Sequence, residues 1–143
     1  MFLLDTDHLV IVQRDAQPEA SHLRQRMAGH SPSDFYLSVV SVHEQMLGAN
    51  KYIAQARARS SVIRGYQMIE SAILDYNQFH IVPFDEPAAI KFDELRKLGI
   101  RIGTMDLRIA AIALSHAFTV LTRNTVDFAE VPELHVEDWS TPT

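Results

Sequence analysis

Hydrophobic positions change their period along this chain, and each change marks an element. FLLD at 2–5 is a short apolar run that stops at an acid, as a buried strand does. Thr6 suits the cap of a following helix, whose apolar Leu9, Val10 and Val12 give way to the polar QRDAQ. Pro18 and Glu19 suit a second helix start, Leu23 and Met27 supply its apolar face, and the Gly29 to Ser33 cluster ends it. FYLSVV at 35–40 reads as a second strand. Ser41 opens a helical period from Val42 to about Gln78, with a break expected near Gly48 to Asn50 and Ile63, Tyr66, Ile69 and Ile73 on one face. FHIVPF at 79–84 is a third strand, and Pro87 starts a helix through Ile90, Leu95 and Leu98 that Gly99 ends. Thr104 caps the strongly apolar MDLRIAAIALSHA, FTVLT at 118–122 is a fourth strand, and LHVEDW is a weak fifth.

Strands alternating with helices imply right-handed crossovers and an α/β fold, a three-layer α/β/α sandwich around a mostly parallel sheet. A length of 143 residues suits a single domain spanning 1–143. Hydrophobic residues at 47% and charged residues at 22% describe an ordinary globule, and no apolar run approaches the roughly 20 residues that span a bilayer. No signal-peptide pattern opens the chain, so a cytoplasmic location is expected. Without cysteine, thiol catalysis and thiolate zinc sites are excluded, leaving carboxylates, histidines and hydroxyls. The net charge of −5 argues against a general polyanion binder. It leaves a nuclease open, because a carboxylate site is itself acidic and a divalent cation restores positive potential there.

In open α/β sheets ligands bind beyond the carboxyl ends of the strands. Asp5 ends the first strand, Glu44 lies in the helix after the second, Asp106 lies just past GT at the start of the apolar helix, and Asp127 follows the fourth strand. Each has a capping alternative: Ser41 with Glu44 as a capping box, Asp106 favoured by the helix dipole, Asp127 at its own turn. Together they form a set of acids without an obvious Lys or Arg partner, and clustered carboxylates demand protons or a cation. An all-oxygen set suits Mg²⁺ or Mn²⁺ better than zinc. Thr6, Asp7, Ser41, Thr122 and Asn124 occupy the same strand ends, where they orient ligands or serve as caps and turn residues.

LLDTDHL, SVHEQMLG, GTMDLRIAAIAL and TRNTVDFAEVPELHVEDW resemble, in order, the four motif blocks of the PIN-domain ribonucleases, specifically the VapC-type toxins. The resemblance implies a small α/β/α nuclease, usually a homodimer. It implies RNA cleavage with Mg²⁺ or Mn²⁺ held by Asp5, Glu44, Asp106 and Asp127, and inhibition by a VapB-type antitoxin. Asp7 departs from the Asn frequent there. For the antitoxin, the apolar Leu9, Val10, Val12, Leu23 and Met27 of the first two helices are the expected groove.

Two other functions compete. A strand ending in D-x-D also begins the haloacid-dehalogenase-like phosphatases, with Asp5 as nucleophile and Asp7 as general acid, although Leu9 stands where that family has Thr or Val. A non-catalytic PIN-like binding module would need degenerate acids. HEQML at 43–47 lacks the second His of a zincin, and no G-x-S-x-G or phosphate-binding glycine loop occurs. His8 and His43 are expected in solvated or core-edge roles. Arg57, Arg59 and Arg64 form a basic stretch facing solvent or an RNA backbone.

Overall fold

Leu3 and Leu4 are both fully buried although neighbouring strand residues face opposite sides, so β1 (Phe2–Leu4) is covered on both faces. In the computed structural model, which describes residues 1–143, β1 is the centre of a five-stranded sheet of order β3-β2-β1-β4-β5. The other strands are β2 (Phe35–Ser38), β3 (His80–Val82), β4 (Thr119–Leu121) and β5 (Val136–Glu137). Every pairing is parallel, and Phe2 stands opposite Phe35 on one side and Thr119 on the other. The crossovers are α1 (Thr6–Arg14) with α2 (Glu19–Met27), α3 (Val39–Gln55) with α4 (Arg59–Tyr76), and α5 (Glu86–Lys97) with α6 (Thr104–His116). The short α7 (Thr125–Phe128) precedes β5.

Strand alternation sorts the core into two layers. Leu3 and Val120 pack with Val40, Leu95, Ile109 and Phe128 on the face covered by α5 and α6. Leu4 and Leu121 pack with Ile11, Leu23 and Trp139 under α1 and α2, and Leu9, Leu37 and Tyr76 continue that layer beneath α4. α6 is the most deeply buried helix, with Leu107, Ile109, Ala110, Ala111, Ile112 and Ala113 all in the core. Burying each of its Leu and Ile side chains contributes roughly 1.5–3 kcal/mol, so α6 anchors whatever its first turn carries.

Several boundaries differ from the sequence reading. Asp5, rather than Thr6, is the N-cap of α1 and accepts from the Thr6 N–H. β2 ends at Ser38, which caps α3 by accepting from the Ser41 N–H, so Ser41 and Glu44 form no capping box. Gly103 precedes α6 and Thr104 is its first residue. α3 runs unbroken through Gly48, and the chain leaves helix only between Gln55 and Arg59. A mid-helix glycine costs about 1 kcal/mol against alanine, which packing of a long helix overrides. α4 folds back closely because Gly65 has no side chain: a Cβ there would collide with Ile53.

The expected apolar faces also redistribute. Ile63, Tyr66 and Ile73 of α4 are more than half exposed. Leu9 and Leu23 are wholly buried and so cannot line the expected groove on the first two helices, while Val12 and Met27 are partly buried against the core. Of that set, Val10 lines a different groove, between α1, α3 and α4. No helix is long and apolar enough to cross a membrane.

Candidate metal centre

The chain passes from β1 to β2 and β3 on one side, then returns to place β4 on the other, so strand order reverses at the carboxyl ends of β1 and β4. The Asp5 N–H extends this pairing by donating to the Leu121 carbonyl at 2.9 Å. Its carboxylate is fixed twice, accepting from Thr6 N at 2.8 Å and from Thr122 Oγ1 at 2.8 Å. Glu44, in the second turn of α3, reaches the same place, and its Oε1 accepts from Thr6 Oγ1 at 3.0 Å. Asp106 stands in the first turn of α6 and receives no hydrogen bond from the protein. One oxygen from each of Asp5, Glu44 and Asp106 lies within 4.8 Å of the others.

No Lys or Arg forms an ion pair with these three acids. Burial, then the charge of Asp7, pushes the Asp5 carboxyl up to about 7 against the opposing hydrogen bonds from Thr122 and Thr6. Glu44 is raised by burial and by the charges of Asp106 and Asp7. Asp106 is raised by burial and by the charges of Asp127 and Asp7. Ser41 lies one turn before Glu44, and its buried hydroxyl has no partner. Three carboxylates that resist ionisation together, with an unsatisfied hydroxyl close along the helix, form an oxygen donor set that fits a divalent cation.

The remaining residues divide differently. Asp127 lies outside the three converging acids, and its Oδ2 accepts from Asn124 Nδ2 at 3.0 Å, although its charge is felt by Asp106. Thr122 is buried, with its hydroxyl proton between Asp5 Oδ2 at 2.8 Å and Asp7 Oδ2 at 3.2 Å, and it accepts from Asn124 N. Asp7 also accepts from Arg123 N at 2.9 Å and from His8 Nδ1 at 2.8 Å. Burial alone would raise it, but these bonds hold its carboxyl below the ordinary value. An acid so stabilised as the anion is a poor proton donor, which removes the phosphatase role drawn for it.

His8 corrects the sequence reading most. It is fully buried, donates from Nδ1 to Asp7 and accepts at Nε2 from the Trp139 N–H at 3.1 Å, tying the C-terminal segment to α1. The sequence signal was present in its position between Asp7 and Leu9, on the turn of helix that faces the sheet.

Residues 2–134 match the family model described as PIN domain. The chain is 28% identical over 142 residues to the tRNA(fMet)-specific endonuclease VapC of Salmonella typhimurium, covering 96% of this chain and 97% of that one. It is 30% identical to Toxin FitB of Neisseria gonorrhoeae, covering 90% and 91% of the two chains. Among solved structures it shares its fold with VapBC2 of Rickettsia felis bound to a promoter DNA fragment, with a TM-score of 0.76 at 21% identity over 96% and 98% of the two chains.

Proposed function

Because this chain belongs to the PIN-domain family, we propose that it is a metal-dependent endoribonuclease, the toxin of a VapBC-type pair, acting as one nuclease unit over residues 1–143. Convergence of Asp5, Glu44 and Asp106 within 4.8 Å is the observation that carries this reading. Mg²⁺ or Mn²⁺ suits the all-oxygen set, and when bound supplies charge neutralisation and a more acidic water for in-line hydrolysis of a phosphodiester. The protein's part is positioning. Thr6 orients two acids at once, through its N–H to Asp5 and its hydroxyl to Glu44. Thr122 holds the other Asp5 oxygen, and α6 presents Asp106 from a rigid, buried helix. With its carboxyl raised to about 7, Asp5 would give up a proton to a bound cation close to neutral pH. Asp127 on α7, linked to Asn124, stays outside the three converging acids and acts on the site through its charge on Asp106.

RNA is the substrate class, a VapB-type antitoxin the inhibitor, a homodimer the assembly and the cytoplasm the location that this reading carries. Its support is the toxin and ribonuclease character of the relatives together with the intact acids. An intact triad also weighs against a purely non-catalytic module. Incubating the protein with structured and unstructured RNA in Mg²⁺, Mn²⁺ or chelator tests it: cleavage in either metal and none in chelator is expected, and no cleavage in any metal would refute it.

A further inference from the structure

Between α1, α3 and α4 lies a groove of about 750 Å³, within the roughly 300–1,000 Å³ of small-ligand pockets. Thr6 lines its end nearest the acids and donates to Glu44, so groove and acid cluster are continuous. Gln13 of α1 and Gln45 of α3 line it too, and their amides exchange hydrogen bonds of 3.2 and 2.7 Å. The Tyr76 hydroxyl donates to Gln45 Oε1 at 2.6 Å, which occupies that oxygen's second lone pair and fixes the pair's orientation. One N–H on each amide and one lone pair on Gln13 Oε1 remain unused. Arg14 and Arg64 line the same groove against a single acid, Asp75, a local positive excess in a chain of net charge −5.

We infer that this groove holds a nucleotide of single-stranded RNA next to the scissile phosphate, with Gln13 and Gln45 contacting its base edge and Arg14 and Arg64 its flanking phosphates. The inference rests on the ribonuclease reading and adds a specificity determinant to it. An amide pair with a free donor on each side chain and a free acceptor on Gln13 matches the edge of an unstacked base, whereas in an A-form duplex the Watson–Crick edges are already paired. Arginines supply affinity without sequence information. The sequence reading placed Arg57, Arg59 and Arg64 together; among them Arg64 alone lines the groove.

Two assays with the full-length chain test this. Fluorescent oligo(A), oligo(C) and oligo(U) are titrated in chelator, where no cleavage occurs, and cut positions are mapped on a random-sequence RNA pool in Mg²⁺. Gln13→Ala and Gln45→Glu should each change the ratio of affinities among the three oligonucleotides, and the base preference beside the cut, by about 5-fold or more. Arg14→Ala and Arg64→Ala should weaken all three alike and lower the salt dependence by about 0.7 per arginine. Half-exposed Gln13 keeps the test open if a Gln45 variant fails to fold. Unchanged affinity ratios and cut positions in folded variants would overturn the inference while wild-type cleavage left the nuclease reading standing. The same four variants losing antitoxin binding but not RNA preference would overturn it in favour of a protein occupant. If the wild type cut no RNA the nuclease reading would fail, and uniform, base-blind affinity in chelator would refute the groove separately.

Discussion

Asp5, Glu44 and Asp106 face one another at the rim of the sheet, whereas Asp7, Asp127 and Asp138 sit along the same rim with protein donors of their own. Asp7 accepts from His8 and the Arg123 amide, Asp127 from Asn124, and Asp138 from the Ser140 amide. Members of the first group are pushed upward by burial and by the charges of nearby acids, Asp7 acting on all three, while Asp7 is held down by its bonds. Asp5 and Glu44 also accept from Thr6 and Thr122, so what divides these neighbouring acids is convergence: three bring oxygens into one shared space, and the others turn theirs into the protein's own structure. Asp5 and Asp7, two residues apart, fall on opposite sides of that division.

The largest effects should separate the two sets by activity. Asp5→Asn, Glu44→Gln and Asp106→Asn are each expected to reduce metal-dependent RNA cleavage by more than the ~10–100-fold typical of changing an outer partner. Thr122→Val, which loosens Asp5 without removing a converging acid, should fall within that ~10–100-fold range. Initial rates on one RNA in saturating Mn²⁺ rank the four; a Thr122 variant as inactive as the acid variants would blur the division.

Stability should divide the same residues in the opposite sense. Asp7→Ala leaves the Nδ1–H of fully buried His8 without its acceptor, and a buried unsatisfied donor costs about 1–3 kcal/mol. Urea unfolding reads this loss, which should persist with or without metal. Asp106→Asn removes a charge from a repelling cluster and should raise the melting temperature in chelator while gaining less than wild type from added Mg²⁺. A loss of stability in this variant under both conditions would make Asp106 a helix-dipole residue only.

A smaller, graded effect concerns pH. Asp5 has an ordinary value of 3.8 and a folded value of about 7, so between these limits the folded chain holds a proton that the unfolded chain releases. Unfolding therefore becomes easier as pH rises through this window, at no more than about 1.4 kcal/mol per pH unit, and levels off above it. In chelator, the stability of wild type relative to Asp5→Asn should fall from pH 4 to pH 7. A flat difference would mean that Asp5 is ordinarily ionised in the folded chain.

The alternation of strands with helices, and the acids at strand exits, were legible because both follow from local pattern. What pattern could not resolve was how one side chain serves two purposes. Asp5 is the cap of α1 as well as a member of the acid cluster, so reading Thr6 as the cap displaced the helix start by one residue. Gly48 reads as a breaker locally, but α3 carries it because a Cβ there meets nothing and the helix is long enough to absorb the cost. The apolar spacing of α4 promised burial, yet Gly65 and Ala72 make its close contacts while Ile63, Tyr66 and Ile73 remain outside. Asp127 follows β4 in sequence as the others follow their elements, and only the turn of α7 sets its carboxylate toward Asn124 instead of into the triad.

Calorimetric titration of the protein with Mn²⁺ near pH 6.5, in two buffers of different ionisation enthalpy, measures metal binding and proton release together. Wild type should bind and release close to one proton, because a cation displaces the proton that buried Asp5 retains there. Asp5→Asn should lose both the affinity and the release. Binding without proton release would mean that Asp5 is already ionised at this pH, and wild-type-like binding in Asp5→Asn would contradict the assignment of the three converging acids to a metal centre.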